Sequence, residues 1–253
     1  MKTRSLVGVL AVVFVCLIAP KATAQSSSSE WQYTIAPYLW AAGMDGTMTI
    51  ADNEADIDVP FSDIIENLDF ALMGHFDMRN ERWVLASDLI FVDVGHDEKV
   101  TGDDGLAEGT VTTGMDMTLF EVVGGYRVSP AVALLAGARW VDMGASLRYS
   151  GDIVGENADV SKDWIDPLVG VHVFAPLSEK WWLGARGDVG GFGVGSELTW
   201  QGYLDIGYRA SASLSIILGY HALDIDYEGG SEPLYGNLDL MVSGPQLGVA
   251  FHF

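Results

Sequence analysis

The chain has 253 residues, and 35 acidic against 13 basic side chains give it a formal charge of −22. A surface this acidic repels phosphate backbones, which excludes nucleic acid as an expected partner. The 30 glycines, the 11% aromatic content and the absence of a run of about 18 apolar residues after position 24 favour an all-β chain over membrane helices.

The first 24 residues have the pattern of a secretory signal peptide. Two basic residues precede an apolar stretch over residues 6–18, and Ala22-Thr23-Ala24 is an Ala-x-Ala cleavage site. The single cysteine, Cys16, lies inside this segment. We therefore predict cleavage after Ala24 and a cysteine-free domain over residues 25–253, which forms no disulfide and no thiolate metal site.

Ten later segments alternate between apolar and polar side chains with period two, as β-strands do. They are Trp31–Ala42, Leu68–Arg79, Arg82–Val94, Val111–Val128, Val132–Tyr149, Lys162–Phe174, Trp181–Val189, Glu197–Arg209, Leu214–Tyr227 and Leu238–Phe253. Tight turns near residues 80, 129, 178 and 211 alternate with longer connections. This layout predicts an all-β, transmembrane, up-and-down antiparallel β-barrel of ten strands, with short periplasmic turns and long extracellular loops.

The longer connections carry their own signals. Residues 43–67 predict a polar hairpin, Thr47–Ile50 against Ala55–Val59, followed by one helical turn capped by Ser62. Residues 95–110 and 150–161 are predicted to be acidic loops. The glycine-rich link over residues 190–195 lacks the lysine of a phosphate-binding loop and is predicted to let the chain bend at a rim.

Aromatic residues recur at matching depths along these strands, which is typical of the two girdles of a membrane barrel. A soluble periplasmic sandwich or lipocalin-like barrel would alternate too, but it would turn its apolar rows inward and its charged rows outward. The membrane barrel is favoured because a soluble fold does not need aromatic residues at these depths. The predicted girdle residues are Trp31, Phe70, Trp83, Phe91, Phe120, Tyr126, Trp140, Trp181, Trp200, Tyr208 and Phe253.

Charged residues opposite the apolar rows are predicted to line the interior. They form either an ion-pair network that fills a narrow lumen or the wall of a narrow, selective pore, and the residue pattern leaves both open. These residues are Asp69, His75, Asp77, Arg79, Asp88, Glu121, Arg127, Arg139, Asp166, His172, Arg186, Asp188, Glu197, Asp205 and Arg209.

An enzymatic alternative rests on the ends of two strands. His96 and Asp97, with Asp224 and Asp226, could form a general base and a water-positioning acid pair at the rim, as in a protease or a lipid A modifying hydrolase. Rim histidines and aspartates are more often simply solvated. We therefore expect no catalytic activity and no cofactor.

The loops concentrate carboxylates that could hold Ca²⁺ or Mg²⁺ shared with lipopolysaccharide phosphates. Simple solvation is the alternative, because the spacing matches no calcium-binding loop, and no dedicated metal site is predicted. The carboxylates are Asp52, Glu54, Asp56, Asp58, Asp63, Glu66, Asp97, Glu98, Asp103, Asp104, Glu108, Asp152, Glu156 and Asp159.

The last nine residues, 245–253, alternate strictly and end on Phe253. They resemble the closing strand of bacterial outer-membrane barrels, which implies recognition by the barrel assembly machinery. Residues 161–167 and 186–196 are similar to hallmark segments of a largely uncharacterised outer-membrane family. The mature chain resembles the opacity-porin and outer-membrane-protein-W-like grouping, although ten strands depart from the eight typical there.

That resemblance implies a fold and a place in the outer membrane, among lipid and lipopolysaccharide, rather than an activity. We expect a structural or surface protein with at most a narrow lumen that conducts ions or small solutes.

Overall fold

A computed structural model describes residues 30–50, 53–101, 108–151, 157–229 and 236–253, so the predicted signal peptide and its cleavage site lie outside the described residues. The elements are β1 (Gln32–Trp40), β2 (Gly43–Ile50), β3 (Asn53–Val59), α1 (Phe61–Glu66), β4 (Leu68–Arg79), β5 (Trp83–Thr101), β6 (Glu108–Arg127), β7 (Val132–Gly151), β8 (Ala158–Pro176), β9 (Trp181–Gly191), β10 (Leu198–Ser211), β11 (Leu214–Gly229) and β12 (Gly236–His252).

Ten of these strands, β1 and β4 to β12, form a closed antiparallel barrel. Each strand pairs with the next one along the chain, and β1 closes the ring on β12, with Ile35 opposite Phe251. Backbone hydrogen bonds join Tyr33 and Phe253 in both directions at this seam. The predicted ten-stranded barrel is therefore confirmed. We call the end with the short turns the turn end and the opposite end the loop end.

The predicted polar hairpin is present and longer than expected. β2 pairs with β3 and also continues the wall along β12, from Gly43 opposite Ser243 to Ile50 opposite Gly236. The predicted first strand therefore ends early, at Trp40, and the chain restarts as β2. No helix within the described residues is long and apolar enough to cross a membrane.

The predicted helical turn forms, but its predicted cap is wrong. Pro60 is the N-cap residue of α1, and no side chain caps the helix. The Ser62 hydroxyl lies inside the first turn and donates to the Asp63 carboxylate at 3.0 Å. Proline suits this end of a helix because its fixed φ matches the start and it has no N–H to satisfy.

The predicted loops at residues 95–110 and 150–161 are shorter than expected, because strand pairing continues through them. β5 runs to Thr101 opposite Glu108, and β7 runs to Gly151 opposite Gly109. The apolar alternation ends where the strands leave the lipid, but main-chain pairing does not depend on it. Threonines 110, 112 and 113 favour extended structure there.

The apolar rows face outward. Leu204 and Ile206 are 57% and 39% exposed, whereas Asp205 between them is 8% exposed. The same contrast recurs along β1, β7 and β12, where Leu39, Leu134 and Leu247 are all more than half exposed. A closed cylinder with apolar side chains outside and polar ones inside is the arrangement that a bilayer requires. The soluble alternative, with these rows reversed, is wrong.

Candidate functional site

Four charged side chains meet at the centre of the interior: Glu121, Arg139, Arg186 and Asp188. Nη2 of Arg139 lies 2.8 Å from Oε2 of Glu121 and 2.7 Å from Oδ1 of Asp188. Nη2 of Arg186 lies 2.9 Å from Oδ2 of Asp188 and also contacts Glu121. Arg139 is 0% exposed and Glu121 1%. Two cations balance two anions, so the group carries no net charge into the low-dielectric interior. We call it the charge quartet.

Strand register brings the quartet together. Glu121 of β6 stands directly opposite Arg139 of β7, and their outward neighbours are lipid-facing residues such as Val122. Asp188 and Arg186 lie two residues apart on β9 and therefore point to the same side of the sheet. Nη1 of Arg139 also donates to the Thr199 hydroxyl of β10 at 3.2 Å, so the quartet, which comes from three strands, is also joined to a fourth.

Three further polar contacts join strands on either side of the quartet. The Tyr38 hydroxyl donates to Asp88, whose other oxygen lies 2.9 Å from Nδ1 of His75. Nε2 of Gln246 donates to Asp205 at 2.6 Å. Together with the quartet, these contacts put hydrogen-bonded polar groups on most sides of the lumen at mid-height.

An apolar layer occupies the interior on the loop side of the quartet. Its side chains come from both walls and pack as one cluster, and Val141, Leu223 and Ile225 are completely buried. The layer comprises Trp40, Ala42, Met44, Ile64, Ile90, Met117, Leu119, Val141, Trp164, Leu223, Ile225, Leu240 and Val242. An ion moving along the axis would lose its hydration there without gaining a polar partner. The described interior is therefore closed in its loop half.

The turn half of the lumen instead holds a cavity of about 340 Å³. Its lining runs inward from Arg127 and Arg209 and includes four histidines, 75, 172, 221 and 252. His221 lies at the inner end and stacks on Trp40 with ring centroids 4.1 Å apart. Nε2 of His221 is buried and has no hydrogen-bond partner within the described residues. The cavity thus offers small polar molecules both donors and acceptors, without a continuous path to the loop end.

Asp166 holds the glycine-rich link in place and makes no ion pair within the described residues. Its carboxylate accepts from the Ser196 backbone N–H at 2.6 Å, from the Ser196 hydroxyl at 2.7 Å and from Nε1 of Trp164 at 3.1 Å. Gly191 and Gly193 have φ of 85° and 70°, as expected where the chain bends tightly. Both Asp166 and Ser196 are 0% exposed, so the link is fastened from inside.

Solved structures similar to this chain are bacterial outer-membrane proteins. The outer membrane protease OmpT from Escherichia coli is 9% identical, with 91% of this chain and 99% of that chain covered and a TM-score of 0.56. The translocator domain of the autotransporter NalP from Neisseria meningitidis is 15% identical over 90% of each chain, with a TM-score of 0.44. Ail of Yersinia pestis is 11% identical over 88% of this chain and 98% of that chain, with a TM-score of 0.40.

The chain has the fold of an outer-membrane β-barrel. At this level of identity the likeness to OmpT is one of fold. No family model matches the sequence, and no curated protein is similar to it at a significant level.

Several residues predicted to line the lumen lie at the two mouths of this outer-membrane barrel. Asp69 and Glu197 are exposed at the loop end. Arg127 caps the turns at the other end, because it donates to the carbonyls of Asn80 at 2.9 Å and Pro130 at 2.7 Å. Arg209 lines the same mouth. The remaining predicted residues near the turn end are Asp77 and Arg79, 3.8 Å apart, and His172.

The predicted girdle residues stand on the outer face. Trp83 packs edge-on against Tyr126 with ring centroids 5.2 Å apart, and Trp181 packs against Tyr208 at 4.9 Å, both near the turn end. Phe70 packs against Phe91 at 5.7 Å nearer the loop end. Phe120 lies opposite Trp140 on the neighbouring strand, and Trp200 belongs to β10. Trp31 directly precedes β1, and Phe253 directly follows β12.

The structure does not bring the candidate rim residues together. Nδ1 of His96 lies 2.9 Å from the Asn67 side-chain oxygen, and Asp97 accepts from the Thr112 hydroxyl at 2.8 Å. Asp224 and Asp226 belong to β11, which is separated from β5 by β12, β1 and β4. They also project from the outer face, since Leu223 and Ile225 are the inward residues there.

The acidic loops are only partly described. Asp52, Asp103, Asp104, Asp152 and Glu156 lie outside the described residues. Among the residues that are described, no three carboxylate, histidine or cysteine side chains come together in a way that could hold a metal ion.

The predicted lumen residues did not include the neutral polar residues of the interior, because the prediction considered only charged side chains and histidines. Tyr38, Thr199, His221 and Gln246 all contact or line the polar lumen. The signal that could have found them is alternation itself, because each lies on the inward row of its strand.

Proposed function

We propose that this chain is a non-conducting integral outer-membrane barrel with a structural or surface role. The observation that carries the proposal is the closed interior, in which the neutral charge quartet is followed by a packed apolar layer. An open pore would need a continuous polar path instead. Its likeness to the opacity-porin and outer-membrane-protein-W-like grouping is part of the same proposal.

Catalysis is not part of the proposal. The His96 and Asp97 side chains contact Asn67 and Thr112, and the acid pair that would place a water lies on another part of the wall. No observation favours a hydrolytic site over solvated rim residues. We expect His96→Ala to leave the behaviour of the protein unchanged.

The location rests on surface chemistry. A band of exposed leucine, isoleucine, valine and aromatic residues around a closed cylinder matches the hydrocarbon layer. We propose that the chain is secreted and cleaved after Ala24, and that the barrel assembly machinery recognises the closing strand next to Phe253. Lipid and lipopolysaccharide are then the surrounding partners. Divalent cations at the acidic loops would then lie between carboxylates and lipopolysaccharide phosphates.

Planar-bilayer recording of the purified, refolded protein tests the proposal. We expect no stepwise conductance from protein whose heat-dependent gel mobility shows a folded barrel, because the apolar layer blocks hydrated ions. A porin of known conductance, added to the same bilayers, is the control. Steady, ion-selective steps from the folded protein would contradict a closed interior.

A further inference from the structure

The barrel wall opens sideways between β1 and β4. These strands pair from Gln32 opposite Arg79 to Pro37 opposite Gly74. Beyond that point, residues 38–40 of β1 pair with β12, and residues 68–73 of β4 pair with β5, but the two segments do not pair with each other. The wall therefore has no main-chain pairing between β1 and β4 over this stretch.

Side chains replace the missing ladder. The Trp40 backbone N–H donates to the Met73 sulfur at 3.2 Å, where a continuing strand would supply a carbonyl. Sulfur is a weak acceptor, so this contact holds the two strands less firmly than a main-chain bond would. The wall is therefore locally separable at this point.

Helix α1 lies at the loop end of the gap. Its C-cap residue Asn67 is fastened to β5, since its carbonyl accepts from Gly95 at 2.9 Å. Ile64 points inward and is 8% exposed, whereas Phe61 and Ile65 are 37% and 55% exposed. The helix thus adds an apolar roof to the opening rather than sealing it with hydrogen bonds.

A cavity of about 320 Å³ runs through this gap. Its inner lining includes Ile90, Met117 and Val242, which are 1%, 4% and 2% exposed inside the barrel. Its outer lining includes Leu39 and Leu247, which are 60% and 53% exposed on the lipid-facing surface. The cavity is therefore continuous with the surface that meets the membrane.

The chemistry of the lining selects an apolar occupant. Every lining residue except Gln246 is apolar, and the Gln246 amide already donates to Asp205. Water needs two to four polar partners to stay in a buried site, and an apolar cavity of about 150 Å³ already holds benzene. Met44, Met73 and Met117 add flexible side chains that adapt to an inserted chain.

We propose that the gap between β1 and β4 is a binding site for one acyl chain of a surrounding bilayer lipid, inserted sideways beneath α1. Continuity with the lipid-facing surface identifies the occupant, since acyl chains are the species present at the mouth. The site goes beyond the proposed structural role, and it rests only on the proposed membrane location.

Photolabelling in vesicles tests the site. The protein is reconstituted into phosphatidylcholine vesicles that contain a phosphatidylcholine with a diazirine near the end of one acyl chain, then irradiated and mapped by mass spectrometry. We expect labels on the inner residues Ile90 or Met117, as well as on the outer residue Leu204, which is 57% exposed midway between Trp200 and Tyr208. A diazirine placed near the headgroup should label the inner residues several-fold less.

A matched pair of substitutions adds a second arm. Ala71→Phe fills the cavity and should reduce inner labelling about tenfold, whereas Ala138→Phe adds the same ring to the exposed face of β7 and should leave it unchanged. Leu204 labelling should persist in both variants. If Ala71→Phe does not fold, the comparison of the two diazirine positions in the wild-type protein still tests the site.

Three outcomes overturn parts of the account. Labels on Leu204 without any on Ile90 or Met117 would refute the acyl-chain site while leaving the membrane location intact. Absence of label from Leu204 as well would refute the membrane location itself. Inner labelling by a small, free apolar diazirine but not by the lipid probe would assign the cavity to a small solute instead.

Discussion

Arg139 is the residue on which the closed interior most depends. Its guanidinium is fully buried and contacts Glu121, Asp188 and Thr199. A buried pair of this kind adds little net stability compared with apolar residues of similar size, but removing one partner leaves an uncompensated charge. The quartet should therefore tolerate balanced changes better than single ones.

Arg139→Met should lower the free energy of unfolding by about 3–5 kcal/mol, because two buried carboxylates are then left with Arg186 as their one cation and the quartet carries a net charge. Adding Asp188→Asn should recover part of that loss. Arg148→Met is the control, since Arg148 and Asp159 are about two-thirds exposed and 3.4 Å apart, and it should cost less than about 1 kcal/mol. Urea unfolding in vesicles measures all three. Equal effects of the two arginine substitutions would contradict a buried quartet.

Four aspartates form a row on the outer face just beyond the apolar belt: Asp93 opposite Asp116, and Asp142 opposite Asp163. Burial, together with Asp142 and Asp93, raises the pKa of Asp116. The native state therefore holds this proton more tightly than the unfolded chain does. The contribution of Asp116 to stability falls as pH rises from the unfolded pKa through the folded one.

Asp116→Asn should consequently stabilise the barrel at pH 8, by about 0.5 kcal/mol, because like charges opposite each other destabilise a sheet. The gain should shrink as the pH is lowered below the unfolded pKa of about 3.9. Asp159→Asn, which removes a partner of Arg148, should show no such gain. Unfolding curves at pH 8 and below the unfolded pKa measure the gain in stability. A gain that grows at low pH would contradict repulsion between Asp116 and its neighbouring carboxylates.

Alternation alone predicts whether a charged residue faces the lumen or the outside wherever the strand is regular. It fails at Asp69, because a register shift between Leu68 and Phe70 interrupts the alternation, and at Glu197, which precedes β10. It also cannot tell that Asp166 binds Ser196 rather than the adjacent Arg139. Partner choice depends on side-chain reach across three strands, which a list of residues does not contain.

At the scale of elements, the link between β9 and β10 shows how a buried carboxylate fixes a turn. A Cβ at Gly195 would lie 2.5 Å from Oδ1 of Asp166 and 2.6 Å from the Ile165 carbonyl oxygen. A Cβ at Gly187, on the outer face of β9, would meet nothing within 4 Å. The two glycines are therefore present for different reasons.

Gly195→Ala should destabilise the barrel by about 1–3 kcal/mol through overpacking against Asp166. Gly187→Ala should be neutral or slightly stabilising, because it adds an apolar group in open space. Thermal unfolding monitored by gel mobility compares them directly. Similar melting temperatures for the two variants would show that Asp166 does not clamp this link.

The number of strands and the polar hairpin were predictable because periodicity and turn residues are local signals. The lengths of β5 to β8 were not, since main-chain pairing continues where the apolar alternation has ended. The separation of β1 from β4 was not predicted either. The gap depends on where β2, β3 and α1 pack, and the alternation along β1 and β4 carries no signal for that.

The whole molecule has an interior of two halves. A polar cavity occupies the turn half, an apolar layer with its lateral cavity occupies the loop half, and the charge quartet separates the two halves. The outer surface shows no such division and is apolar over the belt. The proposed non-conducting role and the proposed lateral site both depend on closure of the ring and on the outward direction of the apolar rows.

Spin labelling of single cysteines tests that outward direction most directly, since Cys16 is the single cysteine and lies in the predicted signal peptide. Nitroxides at positions 204, 205 and 206 in vesicles should alternate in their accessibility to oxygen dissolved in the lipid. Positions 204 and 206 should be strongly accessible and position 205 should not. High accessibility at 205 with low values at 204 and 206 would contradict the account.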